Sequence, residues 1–436
     1  MKTLHLTNYW HASSGGIATF YRALMEAAGR RANHEIVVVA PAPESRVERV
    51  GASGRIVYLR APRAPFNRDY RLLLPHRFLM PGGDIARLIA KEEPDVVGIC
   101  DKYTLNYLAG LLRRRFVPGV AGRPAVAGLS CERMDDGVSA YLGAGNWLRG
   151  WIAWYLKWLY FPLFDFHITV SPYAAAELRV AARGHAVPRG VWVLPMGVDL
   201  ETFSPALRSE VVRDRLLGRA GGGRRSVLLL YCGRLAREKN PGLLLDMLER
   251  LASGGEADYR LVIAGDGAMR RELEQRCAGR LAGRVCFLGH LRDRRELAAL
   301  EANCDVFVHP NPREPFGIGP LEAMASGLPV VAPASGGVLS YAGPRNAWLA
   351  TPDGDAFARS VRSIVGNPED RRRRIAEALR TAASYSWPAI ADRFLDLYGS
   401  LPALLRGGPA NRPALEPAFV STPGNRWGAE AGPAMR

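Results

Sequence analysis

Short apolar runs recur along the chain, spaced so that one helix fits between each pair. In the first half they fall at 4–7, 35–40, 55–59, 96–100, 125–129, 167–170 and 191–194. In the second half they fall at 226–231, 261–267 and 285–289, the last two each closing in a turn, and at 306–308, 329–332 and 347–350. The stretches between them change period. Ile17, Phe20, Tyr21, Leu24 and Met25 share one helical face, and Ile390, Phe394, Leu395 and Leu397 share another near the carboxyl end. Strands alternating with amphipathic helices predict an α/β protein whose mostly parallel sheets are covered on both faces. From Arg406 onward Pro, Gly and Ala dominate without periodicity, which predicts a disordered tail.

The 436 residues exceed one ordinary core and suit two domains of about 200 each. The first is expected over 1–202 and the second over 203–385, with a polar, arginine-rich linker at 206–225. A last helix over 386–402 is expected to return to the first domain, and the tail to occupy 403–436. A formal charge of +16 calls for an anionic partner. Nucleic acid is disfavoured, because zinc spacings, an aromatic RNA-binding strand and an isolated basic helix are all missing from the pattern. Six irregularly spaced cysteines without a C-x-x-C pair suggest reduced thiols in a cytoplasmic protein. Polar Asn8, His11 and Ser13 interrupt any signal-peptide core, and no run spans a bilayer.

The densest chemistry lies in residues 310–337, PNPREPFGIGPLEAMASGLPVVAPASGG. A strand enters it, a Gly- and Pro-rich loop follows, and Pro320 suits the first turn of a helix that Gly327 would stop. A glycine loop feeding a helix presents free N–H groups and the positive end of the helix dipole, which suits a phosphate. Glu314 and Glu322 flank that site, seven residues intervening. Carboxylates would repel a bare phosphate but hydrogen-bond sugar hydroxyls, so both halves of a sugar-nucleotide find partners. A second basic loop, CGRLAREK, follows the strand at 226–231 and sets Arg234 and Lys239 beside a helix that Asn240 and Pro241 are expected to begin.

The block resembles the signature of the retaining glycosyltransferases of family 4: the spaced glutamates, the Phe316-Gly317 turn, the Glu-Ala-Met helix and the Gly-Leu-Pro-Val-Val strand. The resemblance covers about residues 1–400 and implies the GT-B fold, two doubly wound Rossmann-like domains facing a central cleft. It implies transfer of a sugar from a nucleoside diphosphate sugar, UDP- or GDP-linked, to an acceptor hydroxyl of a sugar, glycan or lipid. By the same resemblance Arg234, Lys239 and the amides around Gly317 and Ile318 neutralise the leaving diphosphate without a metal, and no cofactor is called for beyond the co-substrate. Glu322 would hold the ribose and Glu314 the donor sugar, while Gly16 lines the diphosphate from the opposite domain. Gly16 read by itself is equally a plain tight turn.

Two departures leave alternatives open. Where the family often carries Ser-His-Glu-Arg-Leu, this chain reads Ser-Cys-Glu-Arg-Met, so Cys131 stands at the histidine position with Glu132 beside it. A non-catalytic sugar-nucleotide binder, or a GT-B epimerase or phosphorylase, is the alternative that this change keeps alive. At 147–166, WLRGWIAWYLKWLYFPLFDF puts Trp147, Trp151, Trp154 and Trp158 on one helical stripe among basic residues. The stripe fits an anionic membrane surface, with the protein peripheral on the inner face of the plasma membrane, or a helix packed into the core.

Overall fold

The computed structural model describes residues 1–10, 15–65, 70–142, 146–183, 190–255 and 257–407. Eight strands form the first sheet: β1 (Lys2–Thr7), β2 (Glu35–Ala42), β3 (Arg46–Val50), β4 (Gly54–Arg60), β5 (Val96–Cys100), β6 (Ala125–Ser130), β7 (Phe166–Thr169) and β8 (Val191–Val193). Their order is β3-β4-β2-β1-β5-β6-β7-β8, with β3 antiparallel to β4 and the other neighbours parallel. The second sheet is parallel in the order β11-β10-β9-β12-β13-β14, built from β9 (Val227–Cys232), β10 (Tyr259–Ala264), β11 (Val285–Gly289), β12 (Val306–Val308), β13 (Val330–Pro333) and β14 (Trp348–Ala350). Ile36, Val37, Val38 and Val39 are buried in succession, as are Leu228, Leu229 and Leu230. Helices on both faces explain why these strands read as unbroken apolar runs.

Strand order reverses between β1 and β5 in one sheet and between β9 and β12 in the other. At such a switch point the helices leave toward opposite faces, opening a crevice at the carboxyl ends where ligands bind. The two crevices hold the described residues just after β1, β5, β9 and β12, and these form the candidate site.

The helix Trp387–Leu405 packs against the first helix, Gly15–Gly29. Phe20 meets Phe394 at 4.8 Å between ring centres, and Arg31 reaches Asp392 at 3.0 Å and Asp396 at 2.7 Å. The chain enters this helix beside the end of the first domain: Val198 N–H donates to Tyr385 O, and Trp387 N–H donates to Val198 O. Gly197 lies so close that a Cβ there would stand 2.7 Å from the Trp387 indole.

Several elements differ from the pattern reading. The 206–225 stretch, expected as a linker, contains the helix Glu210–Arg219, which tertiary contacts support. Arg213 bridges to Asp305 at 2.9 Å, and Leu216 and Leu217 are buried. β3 was not expected because its charged, largely exposed residues are those of a guarded sheet edge. Asn240 is not a helix cap: it takes a left-handed φ of 52° after the tight turn Arg237–Lys239, and the helix starts at Gly242. Gly16, which read by itself could be a tight turn, belongs to the first helix, which starts at Gly15, and residues 11–14 before it lie outside the described set. The final helix runs past 402 to Leu405, and residues 408–436 of the expected tail lie outside the described set.

Candidate active site

The glutamate loop is clamped from beneath. Ser335 Oγ donates to Pro312 O at 3.0 Å and Gly337 N–H donates to Glu314 O at 2.6 Å. A Cβ on Gly337 would fall 1.9 Å from Pro315 O, so only glycine lets the two segments lie this close. Gly317, at φ 88°, turns the chain into the helix Ile318–Ala325, and the Tyr341 hydroxyl donates to its carbonyl. Phe316 goes inward: it is 3% exposed and packs against Tyr341 and Tyr385, so it offers the cleft main chain and not its ring.

Glu314 gathers three partners. Lys239 Nζ donates to Oε1 at 3.0 Å and to Oε2 at 2.7 Å, Asn311 Nδ2 donates to Oε2 at 2.9 Å, and His309 Nε2 stands 3.9 Å away. Burial pushes the carboxyl up, but the Lys239 charge, His309 and these hydrogen bonds outweigh it and hold the pKa at about 2. Burial lowers His309 to about 4, so it is a neutral imidazole near pH 7, in keeping with a strand-end residue. Arg234 pairs with Glu238 at 3.1 Å on the same loop as Lys239.

Glu322 is 6% exposed, and Arg294 Nη2 donates to its Oε1 at 2.8 Å. Burial raises its pKa and Arg294 only partly offsets this. Behind it lies Glu301, a residue that sequence reasoning missed. Glu301 is fully buried, accepts from Ser326 Oγ at 3.1 Å through Oε2, and leaves Oε1 without a partner. Burial and the neighbouring Glu322 raise it well above the ordinary glutamate range.

The opposite wall comes from the first sheet. Tyr9, after β1, donates its hydroxyl to Glu132 Oε1. Lys102, after β5, donates to Glu132 O at 2.6 Å and to Glu177 Oε2 at 2.6 Å, and it is 1% exposed. Asp101 caps the next turn by accepting from the N–H groups of Tyr103, Thr104 and Leu105 and from Asn8 Nδ2. Burial raises Glu132, an effect that Tyr9 and Lys102 oppose. Cys131 Sγ lies 3.9 Å from Cys100 Sγ, at the ends of the adjacent strands β6 and β5. Asn8, Tyr9, Asp101, Lys102 and Glu177 were not singled out from sequence. The available signal was their position just past an apolar strand, shared by Asn8, Tyr9, Asp101 and Lys102.

The two walls touch. Gly16, at the start of the first helix, faces Ile318, at the start of the helix after the glutamate loop: a Cβ on Gly16 would stand 3.2 Å from Ile318 Cδ1. Ser171 caps its own helix by accepting from Ala174 N–H and donates its hydroxyl to Pro315 O across the cleft. Two helix N-termini therefore meet beside the loops that carry Arg234, Lys239 and Glu314. That set can bind an anionic group at one end and hydroxyls at the other.

The family model described as Glycosyltransferase Family 4 matches residues 14–202, and the one described as Glycosyl transferases group 1 matches 222–381. A GDP-mannose-dependent alpha-(1-6)-phosphatidylinositol dimannoside mannosyltransferase of Mycobacterium tuberculosis is 28% identical over 409 residues, 94% of this chain and 98% of its own length. A GDP-mannose-dependent alpha-mannosyltransferase of the same species is 32% identical over 372 residues, 85% of this chain and 89% of its own. Among solved structures, sucrose-phosphate synthase from Thermosynechococcus elongatus superposes with a TM-score of 0.72 at 22% identity, covering 93% of this chain and all of that one.

Proposed function

Because the chain belongs to the family 4 glycosyltransferases, a GT-B hexosyltransferase family, we propose that it transfers mannose from GDP-mannose to a hydroxyl of a lipid-linked glycan, with retention of anomeric configuration. The donor assignment is carried by one observation: two relatives that use GDP-mannose by name match this chain over 94% and 85% of its length. One of them acts on a phosphatidylinositol glycolipid, which supports the acceptor class.

The chemistry on this reading is positional and electrostatic. The bond from the anomeric carbon to the diphosphate oxygen breaks, the acceptor oxygen bonds to the same face, and the acceptor proton passes to the departing diphosphate. Arg234, Lys239 and the amides near Gly16, Gly317 and Ile318 take up the charge that develops on the leaving group. Glu322 accepts from the ribose hydroxyls and Glu314 from hydroxyls of the sugar, with Asn311 and Lys239 fixing its orientation. Glu132, held by Tyr9, borders the place where the acceptor meets the donor sugar, next to Cys131. No group beyond the co-substrate is assigned a role.

Among the described residues no helix is long and apolar enough to cross a membrane, so work on a lipid acceptor would be done from the bilayer surface. A thermal-shift panel of GDP, UDP, ADP and their sugars tests the donor, since a ligand selective for the folded state must raise its melting temperature. GDP and GDP-mannose are expected to give the largest shifts, and the Glu322→Ala variant to lose them while keeping its own melting transition. A larger shift with UDP or ADP overturns the donor assignment, and product with an inverted anomeric centre overturns retention.

A further inference from the structure

Nine tryptophans occur in the chain, and Trp192, Trp348 and Trp387 are buried at 4%, 6% and 6% exposure. The helix Asn146–Tyr155 and the wider π-turn after it, Leu156–Tyr160, behave differently. Trp147 is 76% exposed, Trp151 and Trp154 each 50%, and Trp158 53%, with Leu159 at 40%. At 100° per residue the four indoles fall within an arc of about 60°. Leu148, Ile152, Tyr155, Leu156 and Tyr160 take the buried side. The segment is therefore already packed through its other face, and the indoles are surplus to the core. A contiguous apolar patch of this kind marks an interaction surface.

The surroundings select the occupant. From 146 to 164 there is no Asp or Glu, while Arg149 is exposed and Lys157 Nζ lies 5.2 Å from the Trp158 ring centre. The helix Asn106–Arg113 ends against the same segment, where Arg113 donates to Pro162 O, and Arg114, Arg115 and Phe116 continue it with exposed side chains. Indoles with basic residues and no acidic ones are the composition that settles at the headgroup level of an anionic bilayer.

The patch also reaches the candidate site. Trp151 stacks on Tyr155 at 5.8 Å and 17°, and the Tyr155 hydroxyl donates to Lys102 O at 2.6 Å. Lys102 in turn holds the main chain of Glu132. Exposed Tyr103 and Tyr107 flank this path. We propose that the Trp147–Leu159 face seats the protein on an anionic phospholipid bilayer, so that the first-sheet side of the cleft opens toward the lipid and takes its acceptor from that side. The docking surface stands independently of the donor assignment, while the acceptor route rests on the glycosyltransferase reading.

Flotation with phosphatidylcholine vesicles, with and without about one-third phosphatidylglycerol, tests it on the full chain. The expected result is binding to the anionic vesicles at low salt, a blue shift of tryptophan emission, and at least about tenfold weaker partitioning for Trp151→Ser/Trp154→Ser. The GDP-induced thermal shift, measured on the same double variant, should be unchanged. That control separates lost docking from lost folding, and failure of the donor reading from failure of this one. Absence of vesicle binding at low salt overturns the proposal, as does equal binding by the double variant. Tryptophan-dependent self-association without vesicle binding also overturns it and assigns the face to a second copy.

Discussion

Gly16 and Ile318 meet across the two halves of the chain, with room for hydrogen but not for a methyl group at an ordinary contact distance: a Cβ on Gly16 would stand 3.2 Å from Ile318 Cδ1. The contact brings two helix N-termini to one point, the place where the proposed function puts the donor diphosphate. Gly16→Val is expected to hold them apart and lower kcat/KM by about 10²-fold, since misplacement near 1 Å carries that penalty. The melting temperature should move little, because position 16 lies in the first turn of its helix. Steady-state kinetics beside a melting curve checks this, and unchanged turnover would remove the contact from the mechanism.

The Lys239–Glu314 pair carries a pH signature. Glu314 falls from the ordinary 4.5 to about 2 in the folded protein, so its stabilisation is complete above 4.5 and is lost as pH falls toward 2. The shift corresponds to on the order of 3 kcal/mol. Urea unfolding between about pH 6 and about pH 3 should show the wild type losing stability more steeply than Glu314→Gln, which lacks the titration. Parallel curves would mean that the pair contributes nothing net.

Glu301 should behave in the opposite sense. Its folded pKa is raised, so at neutral pH folding must drive a proton onto it or bury its charge, and stability is lost as pH rises above the ordinary glutamate value. Glu301→Gln keeps the Ser326 hydrogen bond without that cost. A gain of about 1–2 kcal/mol at pH 7 is expected, shrinking as the pH is lowered toward 4.5 and absent below it. A loss of stability at pH 7 would show that the carboxyl is needed as such, next to Glu322.

Gly197 tests how the second domain's last helix is seated. A methyl group there meets the Trp387 indole at 2.7 Å and its Cα at 2.9 Å. Gly197→Ala is expected to cost about 1–3 kcal/mol, read as a lower urea midpoint, because an overpacked contact must shift backbone or ring.

The sequence carried the fold through its unbroken apolar runs, which parallel strands require, and the donor-side residues through one compact block, since Glu314, Gly317 and Glu322 are positioned by a single loop and helix. Lys239 was legible as a cation at a strand end, but its bond to Glu314 spans 75 residues and needed the β9–β12 pairing. The first-sheet wall was the harder part. Asn8, Asp101, Glu132 and Glu177 come from four segments, and only the strand order brings them together. Glu301 was not singled out, because burial is a tertiary property. The helix Glu210–Arg219 was hidden for the same reason, its two buried leucines being too few to announce a face.

The return of the helix Trp387–Leu405 onto Gly15–Gly29 also sets the order of events during synthesis. Arg31 is translated before its partners Asp392 and Asp396, which follow it by 361 and 365 residues, and Phe20 comes equally early relative to Phe394. Until then one flank of the first helix has no cover. The amino-terminal sheet can form early, but its outer layer closes only when the second domain is already made, so the two halves finish folding together.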